Sequence, residues 1–314
     1  MKRTIAAALG IGGVMMLATT AAAETIKVAT WNIENFTEGS RTVAELSMMA
    51  DLVDILDADV IAMQEVDGPE AAQLIFDPNE YDFHFSSRND QQRTGFAIRR
   101  GLAFTPNPDF EELDVGGVRH GTDLTVMIGG QPLRLLSVHL KSFCHEDDLD
   151  NVSPADDTHC GKLKRQIPIL EGWIEDRAQE GVPVVVLGDF NRRFNIAGDD
   201  MWADLDDGDP DLTKHTEGLT SACLNFRFPD YIDHIVTDTR ATALVTPGSF
   251  EQLLFTAVDS GGDADLSDHC PIAVVFEADE TVEPADAIAV LLDRLEAVQT
   301  EIEDIRAGLA RLRE

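Results

Sequence analysis

Six short motifs place polar residues directly after hydrophobic runs. Asn32 lies in WNIENF, Glu65 in AMQEV, His139 in SVHLKS, Asp189 and Asn191 in LGDFNRR, Asp233 in DYIDHIV, and Asp268 with His269 in LSDHCPI. Together they supply carboxylates, carboxamides and two imidazoles. Carboxylate and amide oxygens are the ligands a hard divalent cation prefers, and a carboxylate or imidazole beside such a cation can take or give a proton. This mixture suits metal-assisted hydrolysis, in which a cation polarises an ester while a neighbouring base activates water.

Such residues act together only if a rigid scaffold points them into one cleft. The hydrophobic runs before them read as strands: 26–31, 60–63, 95–98, 124–128, 133–140, 182–187, 232–236 and 272–276. Val43, Leu46, Ala50, Val53 and Leu56 recur at helical spacing and predict a helix with one apolar face. A second helix is expected over 162–177, with Leu163, Ile167, Leu170 and Ile174 inward despite Pro168. Strands and helices without strict βαβ alternation indicate a mixed α/β or α+β architecture.

In order and content these motifs resemble the endonuclease/exonuclease/phosphatase superfamily, which includes deoxyribonuclease I, abasic-site endonucleases, sphingomyelinases and inositol polyphosphate 5-phosphatases. The resemblance spans about Ile26 to Phe276, with GDFN and SDH intact. It implies a four-layer sandwich of two packed mixed β-sheets flanked by helices. It further implies that Asn32, Glu65 and Asp268 hold a catalytic Mg²⁺, with Mn²⁺ or Ca²⁺ as alternatives. Asp189 and Asn191 match residues that orient or deprotonate water. His269, paired with Asp233, matches a histidine that acts on the nucleophile or transition state, and His139 a second histidine contacting phosphate. One departure stands out: RTGFAI (93–98) has no carboxylate to buttress His139, as the deoxyribonuclease branch does.

The chain has 314 residues, 24 basic against 58 acidic, and a formal charge of −34. A charge of this sign excludes a broad basic platform for nucleic acid, so a phosphate-bearing substrate must be held by a local basic strip or a bound cation. Lys141, Arg93 and Arg192 are candidates for that strip, since guanidinium and ammonium groups pair with phosphate. The segment 86–100 carries four arginines against one aspartate. Two loops, 146–157 with six carboxylates and 199–211 with seven, read as solvated acidic loops.

Lys2 and Arg3, an apolar stretch and Ala21-Ala22-Ala23 read as an export signal over 1–23, followed by a catalytic domain at 24–277. The four cysteines are then expected to form disulfides, preferentially Cys144 with Cys160 and Cys223 with Cys270. After a linker at 278–285, Ile288, Leu291, Leu295, Val298, Ile302, Ile305, Leu309 and Leu312 follow a heptad pattern, predicting a coiled-coil helix over 286–314 and a homo-oligomer.

The expected activity is that of a periplasmic or secreted Mg²⁺-dependent phosphoesterase cleaving phosphodiesters, with DNA or RNA as first-choice substrate. Phospholipid head groups or small phosphorylated metabolites are the alternative. No aromatic hairpin suited to membrane insertion is legible, so stable membrane association is not expected.

Overall fold

The central strands are buried almost continuously, because successive side chains point to opposite faces and each face is covered, one by the partner sheet and the other by a helix. The computed structural model describes residues 24–262 and 264–278. The expected export signal, the coiled-coil segment and all but the first residue of the linker lie outside these residues. In chain order the elements are β1 (Glu24–Phe36), α1 (Val43–Leu56), β2 (Val60–Val66), α2 (Pro69–Ala72), β3 (Tyr81–Phe85), β4 (Arg93–Arg99), β5 (Phe104–Pro106), β6 (Thr122–Ile128) and β7 (Gln131–His139). There follow α3 (His159–Gln179), β8 (Val184–Asp189), α4 (Asp200–Leu205), β9 (Leu212–Lys214), β10 (Asp233–Asp238), β11 (Glu251–Gln252) and β12 (Ile272–Ala278).

Two six-stranded mixed sheets result, ordered β11-β12-β1-β2-β4-β3 and β5-β6-β7-β8-β10-β9. Val28, Val60, Phe96, Val185, Leu187 and Ile272 belong to the core that packs one sheet against the other. The opposite faces of β1 and β2 bury Trp31, Ile61 and Met63 with Met49, Leu52 and Leu56 of α1. Leu136, Val138, Val184 and Val186 do the same with Leu163, Ile167 and Leu170 of α3. The molecule is thus a four-layer α/β/β/α sandwich, as the resemblance implied.

Thr42 and Glu45 form a reciprocal capping box at the start of α1, and Asp57 ends the helix in a left-handed conformation. Val43, expected on the apolar face, is 85% exposed. It lies roughly a third of a turn from the stripe of Met49, Leu52, Val53 and Leu56 that meets the sheet. The second helix runs beyond its expected span at both ends and continues through Pro168. Disulfides join Cys144 to Cys160 and Cys223 to Cys270, as expected.

Each sheet contains one parallel pair, β1 with β2 and β7 with β8. Parallel pairing brings both C-terminal strand ends to one edge, and in this sandwich the two pairs end at the same edge. Gln64 joins the sheets beneath it, since its Nε2 donates to Thr30 Oγ1 on β1 and to Ser137 Oγ on β7, each at 3.1 Å. Gly188, one residue before the end of β8, has φ +141°, and a Cβ there would come within 2.1 Å of the Val138 carbonyl oxygen. Only glycine lets β8 approach β7 this closely. Gly188→Ala is expected to lower stability by about 3 kcal/mol through this clash and backbone strain, as read from the urea midpoint.

Candidate active site

The shared edge holds the predicted polar residues. Asn32 ends the parallel run of β1 opposite Gln64, and Glu65 follows on β2. His139 pairs with Asp189 across β7 and β8, and Asp189 pairs in turn with Asp233 on β10. Asp268 and His269 precede β12. Asn32 Nδ2 donates to Asp189 Oδ2 at 3.0 Å, joining the two sheets, and stands 3.4 Å from Glu65 Oε1. Glu65, His139, Asp189, Asn191, Asp233, Asp268 and His269 line a cavity of about 540 Å³.

Several of these residues hold an unusual backbone. Glu34, Asn35, Glu65 and Asn191 have φ between +46° and +61°, a left-handed region costly for residues other than glycine. The strain has a return in polar contacts. Asn35 N donates to Glu65 Oε2 at 3.0 Å, and Asn191 N donates to Asp189 Oδ1 at 2.7 Å.

His269 Nδ1 lies 2.7 Å from Asp233 Oδ2, and its Nε2 is 3.9 Å from Asp189 Oδ2 and 3.5 Å from Asp268 Oδ1. Burial opposes a charge on this ring, but Asp233, Asp189 and Asp268 outweigh it and hold the imidazole well above its ordinary pKa. His139 behaves oppositely. Its burial, reinforced by Arg119, His269, Lys141 and Arg88, pushes it well below the ordinary value. Its Nδ1 is buried without a hydrogen-bond partner, in keeping with the missing carboxylate in RTGFAI. The site therefore holds one imidazolium and one neutral imidazole, a separation that suits distinct roles. Asp189 is raised to about 7 by burial and by Asp233, while His269, Asn191 and Asn32 pull the other way.

Several carboxylates thus meet in a partly dry cavity, and one oxygen, Asp233 Oδ1, is buried without a partner. The donor set fits a hard cation. Asp189, Asp233 and His269 each present a ligand atom within 4.8 Å of the others, but the ring nitrogen facing Asp233 is committed to it. Glu65 lines the cavity, while Asn32 is buried beside it and its Oδ1, the amide's ligand atom, accepts from Glu34 N at 3.0 Å. Asp268, the third expected ligand, is a half-exposed residue at the cavity mouth beside Glu34, whose own carboxyl is raised by burial and by Asp268.

Two basic residues expected to meet substrate, Arg192 and Arg93, lie outside the cavity lining. Arg192 is 2% exposed, and its guanidinium contacts Asp199 Oδ2 at 2.6 Å, Cys144 O at 3.1 Å and Asp147 O at 2.9 Å. It joins the two acidic loops to the catalytic turn, and Asp199 is consequently buried and not solvated. Arg93 begins β4 and donates to the Asp90 carbonyl at 3.1 Å, outside the cavity lining. Lys141 lies beside the cavity, with its Nζ 3.3 Å from Ser142 Oγ.

Arg119 and Gln92, in turn, carry no signal in the sequence. Arg119 Nη2 donates to Gln92 Oε1 at 2.8 Å, and Gln92 Nε2 donates to Glu65 Oε2 at 2.9 Å. This relay fixes the Glu65 oxygen turned away from Asn32. Phe143 and Phe228, 69% and 48% exposed, also line the cavity.

The sequence profile of the Endonuclease/Exonuclease/phosphatase family matches residues 29–269. The chain belongs to this family. It is accordingly an enzyme of phosphoric-ester hydrolysis. Among solved structures, D. rerio TDP2 complexed with a single-strand DNA product superposes with a TM-score of 0.61 at 19% identity, covering 81% of this chain and 99% of that one. The human Nocturnin catalytic domain with bound sulfate gives 0.56 at 14%, covering 81% and 93%. A Bacteroides thetaiotaomicron family protein gives 0.52 at 14%, covering 82% and 100%. These likenesses show the shared fold. No curated protein matches the chain by sequence.

Removing Arg192 leaves Asp199 buried and uncompensated. Arg192→Met is expected to cost about 3–5 kcal/mol of unfolding free energy, and Asp199→Leu added to it should recover part of that loss in urea titrations. Below the site, His234 is fully buried, with Nε2 donating to Arg192 O at 2.9 Å and Nδ1 2.7 Å from Thr216 Oγ1. Burial pushes it from 6.5 to about 4. The unfolded chain protonates this ring first as pH falls, so the stability it supports above pH 6.5 is lost between 6.5 and 4, about 3 kcal/mol in all. The stability advantage of wild type over His234→Gln should therefore shrink across that window in thermal melts.

Proposed function

We propose that this protein is an exported, Mg²⁺-dependent phosphodiesterase that hydrolyses nucleic-acid phosphodiesters by attack of water. The observation that supports this most directly is the convergence of Glu65, Asp189 and the Asp233–His269 pair on one cavity, with Asn32 bonded to Asp189 beside it. The two disulfides agree with export to a periplasmic or extracellular compartment.

Glu65 and Asn32, with Asp268 at the cavity mouth as the remaining acidic donor, would hold the divalent ion. When bound, such an ion would supply positive charge that offsets the charge developing on the phosphate. Asp189, whose proton affinity is raised by burial, accepts a proton from the attacking water. As the water oxygen bonds to phosphorus and the bond to the departing oxygen breaks, charge builds on the phosphoryl oxygens. His269, kept protonated by Asp233, donates to one of them and stabilises the transition state more than the ground state. Neutral His139 contacts the phosphate without adding charge. The departing oxygen takes its proton from solvent.

A second reading keeps the chemistry and moves it to phospholipid head groups or small phosphorylated metabolites. The observation in its favour is that the carboxylates of Glu34, Asp230 and Asp268 line the cavity, which disfavours a polyanion.

Purified protein with Mg²⁺, or with EDTA, should be offered plasmid DNA, RNA, sphingomyelin and small phosphomonoesters. Metal-dependent cleavage of nucleic acid is the expected result, with kcat lowered about 10³-fold or more in Asp189→Asn and about 10²-fold in Asp233→Asn. Head-group or phosphate release with intact nucleic acid would select the second reading. Unchanged turnover in Glu65→Ala, Asp189→Asn and His269→Ala would overturn both.

A further inference from the structure

A second cavity of about 580 Å³ adjoins the first and shares Gln92 and Arg119 with it. Arg88, Arg119, Lys141 and Lys162 all line it. In a chain with 24 basic and 58 acidic residues, four cations in one cleft run against the composition. Two are partly neutralised. Arg88 meets Asp90 at 3.2 Å and the Gly117 carbonyl at 3.4 Å, while Lys162 meets Asp157 at 3.2 Å and the Gly116 carbonyl at 3.1 Å.

The other two, among the described residues, have no carboxylate at ion-pair distance. Arg119 spends its donors on Gln92 and, at 3.5 Å, on the Leu140 carbonyl. Lys141 meets the Ser142 hydroxyl and lies 5.6 Å from the centre of the Phe143 ring. Burial lowers the proton affinity of Lys141, and the neighbouring charges of Arg119 and Lys162 lower it further. Burial likewise lowers that of Arg119. Crowded cations of this kind are relieved by an anion. The 21-residue helix α3 begins at the same place, with its cap Thr158 and first residue His159 in the cleft wall, and the positive end of its dipole adds to the field. Glu34, Asp230 and Asp268 line the catalytic cavity, and none of the three lines this second cleft.

We propose that this cleft is a subsite for a second phosphate of the substrate, lying beside the scissile phosphate on the Lys162 side only. The inference rests on the phosphodiesterase reading and deepens it. Guanidinium and ammonium groups recognise phosphate whether it belongs to a polynucleotide backbone or ends a small molecule. Further phosphates lying over Glu34, Asp230 or Asp268 in the catalytic cavity would be repelled, so the enzyme prefers a chain end or a compact diester with one neighbouring phosphate.

The test compares bis(p-nitrophenyl) phosphate, the dinucleotide dTpdT, dTpdT carrying a phosphate at its 5′ or its 3′ end, and trithymidylate. In wild type, a phosphate at one end and not the other should lower KM about tenfold. Arg88→Gln/Lys162→Gln should abolish that gain and leave bis(p-nitrophenyl) phosphate unaffected. A gain with trithymidylate as well as the end-phosphorylated dimer assigns the site to backbone phosphate, whereas a gain with the terminal phosphate alone assigns it to a chain end or small molecule. Equal KM with and without the second phosphate, or an equal loss on all substrates in the double variant, overturns the proposal. Should no diester be cleaved, a phosphate titration followed through the amide signals of Gly116, Gly117 and Lys162 still decides it. Saturable shifts, lost in the double variant, support the subsite, and their absence in wild type refutes it.

Discussion

The hydrogen bond from the Asn32 amide to the buried Asp189 carboxylate, 3.0 Å long, is the contact on which the site depends. It spans two sheets whose inner faces are mostly apolar. A carboxylate in this position is costly unless it is paired and hydrogen-bonded. Asn32, the Asn191 backbone amide and the nearby His269 imidazolium together make it tolerable. The bond also sets the spacing of the two parallel strand pairs at the edge where Glu65, His139 and Asp233 emerge. Gln64, bridging Thr30 and Ser137 just below, holds the same spacing from within.

Charge in the site is divided by position. His269 looks toward the carboxylates of Asp233, Asp189 and Asp268 and carries a proton. His139 is more deeply buried, has no partner at Nδ1, and feels the cations on the other side. Two residues of the same type thus take opposite charge states because the carboxylates around His269, led by its bonded partner Asp233, outweigh burial, whereas burial prevails at His139 even though Asp189 and Glu65 lie 3.5 and 3.7 Å from its Nε2. Past the cavity, Arg88, Arg119, Lys141 and Lys162 line the cleft at the start of α3. In a protein of formal charge −34, a polyanionic substrate can approach only where the local field is reversed.

Two arginines show how far local sequence reaches. Arg192 stands inside LGDFNRR, and position within a catalytic motif suggested substrate contact. The chain turns at Asn191 in a left-handed conformation, which sends Arg192 inward to Asp199 and two carbonyls. Arg119 lies in an unremarked loop, yet the fold brings it to Gln92 and through it to Glu65. Neither outcome depends on neighbours in sequence. Each is set by loops that meet only after both sheets have packed, including the 144–160 segment that its disulfide ties to α3.

While the short strands β5, β9 and β11 and the edge strand β3 came only with the fold, the sequence by itself determined eight of the twelve strands among the described residues, the two long helices, the preferred disulfide pairing and the identity of the polar residues at the strand ends. Those features follow from hydrophobic periodicity and from chemistry that few residue types can perform. The four-layer arrangement followed from the family resemblance that the same motifs carry. Tertiary structure alone decided which face of α1 is covered, which arginines are buried, which phenylalanines stand exposed, and where positive charge gathers. Those properties depend on distances between segments far apart in the chain, and local periodicity carries no information about such distances.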